Sequence, residues 1–508
     1  MKPIVDCSQT APSDLTVEVC IVGSGCGGAT AAWELALAGK DVLVLEEGGD
    51  FTGTKLTQRD GAMYDQLYMD RGGRTTTDLS ISLLQGRVLG GGGVINACDV
   101  VPISDPVLHH WQRKYGLTDF SPEALAPFRD RALLDLSANV PRDDQVNANN
   151  RMLRKGTEAL GWKGEVMHHN RVDCAGVGTC LIGCPLDRKK NPRFVAIPAS
   201  QQAGAQFFTR ARVTRIEGAG QELKTLQVKR LDAKGYHEVG GFTVKAKVVI
   251  LAANAIGSTA LLLKSGLGNA NVGKFVSLQP QLPVTAMFDE EIRFARGIPQ
   301  SWAVTQFEQH DHPEQGLWGF RLEAVAGTPG IVGSILPEMG SVGLERMKHY
   351  QNLAASLLLL PDAPQGSIRV EGNGRLRVDY SLSDEQRTRF REAVKAVSRI
   401  YFAAGAKEVY VPTIPPVSLR SEDDLAKVDA IPFKSASAPF LSAHQQGGVR
   451  FSGDEKSGGA NPDGLMYGTR HVYVFDSSGF PSSSSSHTMT PIITVSRYLT
   501  TKLIARGW

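Results

Sequence analysis

The sequence predicts a chain that joins an α/β unit of the Rossmann type to an α+β region, and three observations carry that expectation. Residues 17–46 read as strand, glycine-rich turn, helix, second strand and acid. Residues 367–405 read as a hairpin followed by a long helix. Toward the other end, His444-Gln445-Gln446-Gly447-Gly448 precedes the apolar run Val472-Tyr473-Val474-Phe475-Asp476 and then His487.

The first strand, Val17-Glu18-Val19-Cys20-Ile21-Val22, is β-branched and mostly apolar, as a central parallel strand should be. Gly23-Ser24-Gly25-Cys26-Gly27-Gly28 follows, then an Ala/Leu-rich helix over Ala29 to Ala38 that stops at Gly39. Asp41 to Glu46 is the second strand. In this context Gly23 permits the tight turn, Gly25 lets a pyrophosphate approach the backbone, and Gly28 lets helix pack on strand. The helix N-terminus offers N–H groups and partial positive charge to the phosphates. Glu46 is placed to accept hydrogen bonds from ribose hydroxyls. An ordinary βαβ unit is the plainer alternative, and the motif alone does not choose between FAD and NAD.

Composition narrows the rest. At 508 residues and 42% hydrophobic, the chain can bury a large core in two or three domains. A net charge of +3 from 55 basic and 52 acidic side chains, with no basic stripe, argues against nucleic acid or anionic membrane as partner. No apolar run reaches eighteen residues, so no integral membrane span is expected. The first residues lack the basic-then-apolar pattern of a signal peptide. Seven cysteines, an odd and sparse complement, suit a reducing, cytoplasmic compartment.

In the later region, Ser367 to Tyr380 alternates in period two about Gly372-Asn373-Gly374, a hairpin pattern. Ser383-Asp384-Glu385 then opens a helix that runs to about Ala404 and stops at Gly405. The run Ser482 to Ser486 reads as a loop.

Three further blocks are Gly86-Arg87-Val88-Leu89-Gly90-Gly91-Gly92-Gly93-Val94-Ile95-Asn96, Val248 through Gly266, and Tyr467-Gly468 through Asp476 to Pro481. In this order they resemble the signature blocks of the glucose–methanol–choline (GMC) oxidoreductase family of FAD enzymes. The hairpin and helix of 367–405 resemble, more loosely, the long-chain alcohol oxidases within it. The resemblance implies a discontinuous FAD-binding domain over 14–105, 186–276 and 441–508. It also implies a substrate domain over 106–185 and 277–440, built on an antiparallel β-sheet covered by helices. Backbone at Gly90, Gly91, Gly92 and Gly93 would lie against the isoalloxazine edge, where no side chain obstructs a planar ring. Val213, Ala253 and Asp476 would make further cofactor contacts. Asn96 would bond flavin or substrate, or be a turn residue after glycines. The family usually has Ser where Gly93 stands, so a hydroxyl contact is absent. No His occurs between Gly86 and Leu108, so FAD is expected to be noncovalent.

The resemblance also implies the chemistry. His444 would take the hydroxyl proton of an alcohol while hydride passes to flavin N5, a task that suits imidazole. His487 would be its partner by ungapped spacing from Asp476, whereas an alignment on Pro491 would put Thr490 there. The substrate is expected to be a small-molecule, lipophilic alcohol, and the electron acceptor O2 or a redox partner. Cys174, Cys180 and Cys184, spaced x5 and x3, resemble the cysteines that hold an iron–sulfur cluster in related sugar dehydrogenases. Three thiolates fall short of the usual four, so structural thiols or a local disulfide are favoured and no metal ligand is assigned. The rivals are a cluster-bearing dehydrogenase, an FAD-dependent lyase and a non-catalytic flavin-binding protein of the same fold. His444 and His487 argue against the last.

Overall fold

The computed structural model describes residues 2–312, 317–336, 338, 340–484 and 487–508. Two sheets dominate it, each with its own apolar core. Ser485 and Ser486 of the predicted serine loop lie outside the described residues.

The first sheet has eight strands. At its centre β1 (Leu15–Val22) pairs in parallel with β2 (Val42–Leu45) on one side and β3 (Glu238–Leu251) on the other. β1 meets β2 in register from Val19↔Val42 to Val22↔Leu45, so both strands end at the same level, where α1 (Cys26–Leu37) begins. The sheet widens through 206–209 and 5–6 beyond β2, and through the antiparallel strands 224–231 and 211–217 beside β3. The last residues of β3 also pair in parallel with β7 (Val472–Val474), which brings the far end of the chain to the first motif. After β3 comes α2 (Asn254–Ser265).

α1 starts earlier than its sequence suggested, at Cys26 rather than Ala29, with Gly27 and Gly28 inside its first turn. A Cβ on Gly27 would come within 2.0 Å of the Phe475 carbonyl oxygen, and one on Gly28 within 2.0 Å of that of Gly23. The helix therefore begins pressed against backbone on both sides, which only glycine allows. α4 (Met489–Arg506) packs along α1, and Ser496 Oγ donates to the Gly27 carbonyl at 2.8 Å.

The second sheet centres on β4 (Gln281–Met287), antiparallel to β6 (Leu353–Leu359), which in turn pairs antiparallel with β5 (Arg321–Ala324). Strands 302–304 and 164–166 extend it beyond β5, and 408–411 and 417–419 extend it beyond β4. α3 (Asp384–Ala404) covers it, capped by a reciprocal Ser383–Gln386 box and ended by Gly405 at φ 106°. The 367–379 hairpin forms as its own two-stranded ribbon against α2. Val107, Trp111, Phe120 and Leu125 pack into the core of the first sheet.

Candidate active site

Between the two sheets lies one cavity of about 850 Å³. One end is backbone. Gly23 turns at φ 100°, where a Cβ would strike the Ala252 carbonyl oxygen at 2.4 Å, whereas Gly25 and Gly92 face space that a Cβ would enter almost freely. Gly25 and Gly91 lie back to back, since a Cβ on Gly91 would come within 2.7 Å of the Gly25 Cα. The two glycine loops are therefore one surface, and Ser24 stitches them. Its hydroxyl donates to Glu46 Oε2 at 2.6 Å and accepts from the Gly90 N–H at 3.0 Å.

Glu46 ends β2 as expected, and it also holds the loop: Ser24 N–H reaches Oε2 at 3.0 Å and Gly48 N–H reaches Oε1 at 2.7 Å. Burial raises its pKa against these hydrogen bonds. Glu46, Val213, Ala253 and Asp476 line the cavity, while Gly28 and Gly90 stand behind it. Asp476 accepts from Ser258 Oγ at 2.6 Å and from Ser478 N–H at 2.9 Å, so its carboxylate fixes the turn after β7 to the start of α2. Asn96 lines the cavity, but its Oδ1 accepts from the Cys98 N–H at 3.2 Å and its amide meets Met489 Sδ at 3.1 Å. Gly93 is explained by Pro192, whose Cδ would lie 2.6 Å from an added Cβ, so a serine there would clash.

The other end carries the titratable groups. His444 lies two residues past the strand 440–442, which pairs with β4 at Leu441↔Gln281. That pairing sets Gln281 Nε2 3.0 Å from His444 Nδ1, and Gln279 Oε1 also contacts Nδ1. Burial, with His487 adding to it, pushes His444 down to about 3, so the imidazole is neutral. His487 stands with its ring centroid 4.9 Å away, edge to face. Its Nε2 lies 2.9 and 3.1 Å from the two oxygens of Glu323. Burial alone would lower His487, but Glu323, helped by Asp99, outweighs this and holds it above its ordinary value. Glu323, fully buried on β5, is itself held down to about 2: burial opposes ionisation, but His487 and Arg321 outweigh it. Arg321 Nε bonds Glu323 at 2.6 Å, and its other nitrogens take Glu308 and Glu165 at 2.8 Å each.

Thr490, the alternative to His487, is fully buried in the first turn of α4 and does not line the cavity. Gly447 and Gly448, which follow the His444 segment, are required by close packing. A Cβ on the first would meet the Phe275 carbonyl oxygen at 2.1 Å and one on the second Thr259 Oγ1 at 2.3 Å, so they let the His444 loop seat on the strand 276–277 and on α2. Gln446 Oε1 accepts from Ser484 N–H at 2.9 Å, tying the two histidine loops together.

Sequence reasoning missed Ser24, which sits at a variable position of the first glycine motif, and Gln279, Gln281, Glu323, Arg321 and Asp99, which sit in no recognisable motif. It also missed Lys189, whose fully buried ammonium donates to the carbonyls of Val94, Asn96 and Cys180 at 2.7, 2.8 and 3.0 Å. All seven cysteines are free thiols, so the local disulfide weighed above is not formed. Cys174, Cys180 and Cys184 do not converge as a ligand set. Among the described residues the one such group is Asp99, Glu323 and His487, whose ligand atoms lie within 4.8 Å of one another. Arg321 and the His487–Glu323 ion pair already neutralise Glu323 there, so this donor set does not favour a metal.

Comparison with known proteins decides the family. GMC oxidoreductase models match residues 64–281 and 362–496, and a model of the NAD(P)-binding Rossmann-like domain matches 21–83. An uncharacterized GMC-type oxidoreductase of Mycobacterium tuberculosis is 30% identical over 487 residues, covering 94% of this chain and 74% of that protein. The chain belongs to the GMC oxidoreductase family. A long-chain-alcohol oxidase of Arabidopsis thaliana, FAO4A, is 26% identical over 94% of this GMC chain and 66% of its own length. Pyridoxine 4-oxidase from Mesorbium loti superposes with a TM-score of 0.72 at 15% identity, covering 97% of this chain and all of its own. Formate oxidase of Aspergillus oryzae does so at 0.72 and 14%, covering 98% and 99%. These structures share the fold.

This GMC chain is thus an oxidoreductase, and FAD is the family's cofactor. The cleft fits it. Gly25 and Gly92 leave open backbone, and α1 starts without a side-chain cap, so its first N–H groups are available to a pyrophosphate. No helix among the described residues is long and apolar enough to cross a membrane.

Proposed function

We propose that this protein oxidises a lipophilic alcohol to a carbonyl compound. The observation that carries the reading is the imidazole pair at one end of the cavity, 4.9 Å apart, with His444 lowered by burial and His487 raised by Glu323. Nδ1 of His444 lies between Gln279 Oε1 and Gln281 Nε2, and in the proposed tautomer Nδ1 donates to Gln279, so that Nε2 accepts the substrate hydroxyl proton. His487, held charged by Glu323, donates a hydrogen bond to the substrate oxygen as negative charge grows on it. When bound, FAD supplies the two-electron acceptor. Gly23, Gly25, Gly91, Gly92 and Glu46 would hold its dinucleotide, with Val213, Ala253 and Asp476 beside them.

The lipophilic class is supported by the lining. Alternate residues of β4 and β6, among them Pro283 and Leu357, present one sheet face to the cavity, joined by Phe294, Val325, Val332 and Phe440. The long-chain-alcohol oxidases among the relatives support it too, and support O2 as acceptor. The domain division inferred from sequence is proposed with one change: residues 105–135 are grouped with the FAD-binding unit, whose core they share. Free, sparse cysteines support a reducing, cytoplasmic setting.

The test is anaerobic mixing with an alcohol panel while flavin absorbance is followed. Bleaching by primary alcohols that strengthens with chain length supports the reading. His444→Ala should slow bleaching by about 10²- to 10⁴-fold with FAD still bound. Equal rates in variant and wild type would remove His444 as the base.

A further inference from the structure

We infer that the preferred alcohol carries a second hydroxyl on the carbon next to the one oxidised, and that Asp99 receives it. This rests on the reading of the site as an alcohol oxidoreductase and narrows its substrate class.

Asp99 follows the second glycine loop and lines the cavity at the imidazole end. It is 3% exposed, and its Oδ1 has no hydrogen-bond partner. Its neighbour in function, Glu323, is by contrast saturated by His487, Arg321 and Gln300. A carboxyl stripped of water and left unpaired is costly, and such groups are rare unless something outside the chain completes them. A monohydric alcohol with an apolar body leaves Asp99 unpaired when it fills the cavity. An alcohol with a second donor does not.

Geometry sets where that donor lies. Asp99 and His487 offer ligand atoms within 4.8 Å of each other. The two oxygens of a staggered vicinal diol are about 2.8 Å apart, and roughly parallel hydrogen bonds from them end on partners at about that spacing or a little more. Glu323 occupies Nε2 of His487, so one oxygen would meet Nδ1 of that ring while the other meets Asp99. A donor several carbons along the chain would point into the apolar lining instead.

Charge sets what the donor is. His487 is cationic, and Arg171 also acts on Asp99, so an ammonium placed at Asp99 would face two like charges. A hydroxyl meets no such penalty. It can also donate to the carboxylate or accept from the carboxylic acid, which matters because burial raises Asp99 to about 7, with His487 lowering and Glu323 raising it.

Two measurements on the FAD-loaded protein separate this inference from the reading beneath it. The first uses compounds with no carbinol hydrogen, which cannot be oxidised: 2,3-dimethylbutane-2,3-diol against 2,3-dimethylbutan-2-ol, each titrated against the flavin spectrum. The diol should bind about tenfold tighter or better than the mono-ol, and Asp99→Ala should bring that ratio, taken within the variant, close to one. Equal affinities in wild type, or a diol advantage that survives the substitution, would overturn the inference, the first by showing that ordered water already satisfies Asp99. The second compares anaerobic flavin reduction by octane-1,2-diol, octan-1-ol and 2-aminooctan-1-ol. The diol should lead in kcat/KM by about tenfold and the amino alcohol should not exceed the mono-ol. An amino alcohol in the lead overturns the hydroxyl assignment. Failure of all three to bleach the flavin, with the binding preference intact, would instead defeat the alcohol-oxidation reading. If Asp99→Ala does not retain FAD, Asp99→Leu, which likewise offers no hydrogen bond, replaces it, and the wild-type ratios still decide.

Discussion

Replacing Glu323 by Gln removes the countercharge of His487 while keeping the shape of the side chain. Glu323 is fully buried and has both oxygens within 3.1 Å of His487 Nε2, so little solvent is present to take over. In the variant the imidazole loses the partner that holds its pKa up, and burial, which opposes protonation, prevails. The ring then faces the substrate as a neutral donor. Changing a charge-assisted hydrogen bond, worth about 1.5–3 kcal/mol, for a neutral one worth about 0.5–1.5 forfeits about 1–1.5 kcal/mol, or about 5- to 13-fold in the rate of flavin reduction. The sign with pH follows. The protonated ring is the competent form, so wild-type activity is present at low pH and falls as pH rises through the raised pKa of His487. The same holds for its share of stability, complete below the unfolded value of about 6.5 and lost above the folded one. In Glu323→Gln the alkaline fall should move to lower pH. Anaerobic stopped-flow reduction across pH, with FAD content checked, reads both effects. An unchanged alkaline limb, or a rate within threefold of wild type at pH 6, would refute the imidazolium assignment.

Gly93→Ser should destabilise the protein by about 1–3 kcal/mol, seen as a lower thermal midpoint and weaker FAD retention, because Pro192 occupies the space for its Cβ. Lys189→Met should cost about 2–4 kcal/mol by removing the donor to the Val94 and Asn96 carbonyls and one of two donors to that of Cys180, and differential scanning calorimetry with and without added FAD should show it.

Much of the dinucleotide end was legible because its constraints are local. Strand, turn, helix and acid follow one another within 30 residues, although the contacts that require Gly23 and Gly27 come from Ala252 and Phe475, far along the chain. The caps at Ser383 and Gly405 were legible for the same reason. Glu323 was not. In Arg321-Leu322-Glu323-Ala324 the alternating charges read as a solvent face, yet both are buried, because on β5 they point the same way and neutralise each other. The partner that gives Glu323 its meaning is 164 residues away. Asp99 carried no pattern at all, since what marks it is a missing partner. The cysteine triplet shows the reverse case: its spacing is suggestive, but spacing does not fix convergence, and the loop between Cys174 and Cys184 keeps the thiols apart.

The closing of the first sheet by β7, and of α1 by α4, has a bearing on how the protein is made. β1 leaves the ribosome some 450 residues before β7 does, which at 5–20 residues per second is roughly 23–90 s of translation. Through that interval the glycine loop lacks the Phe475 carbonyl and Ser496 hydroxyl against which it rests. Stable capture of the nucleotide is therefore a late event in biosynthesis, and a nascent chain stalled before the final seventy residues would present the bare flank of α1 to chaperones.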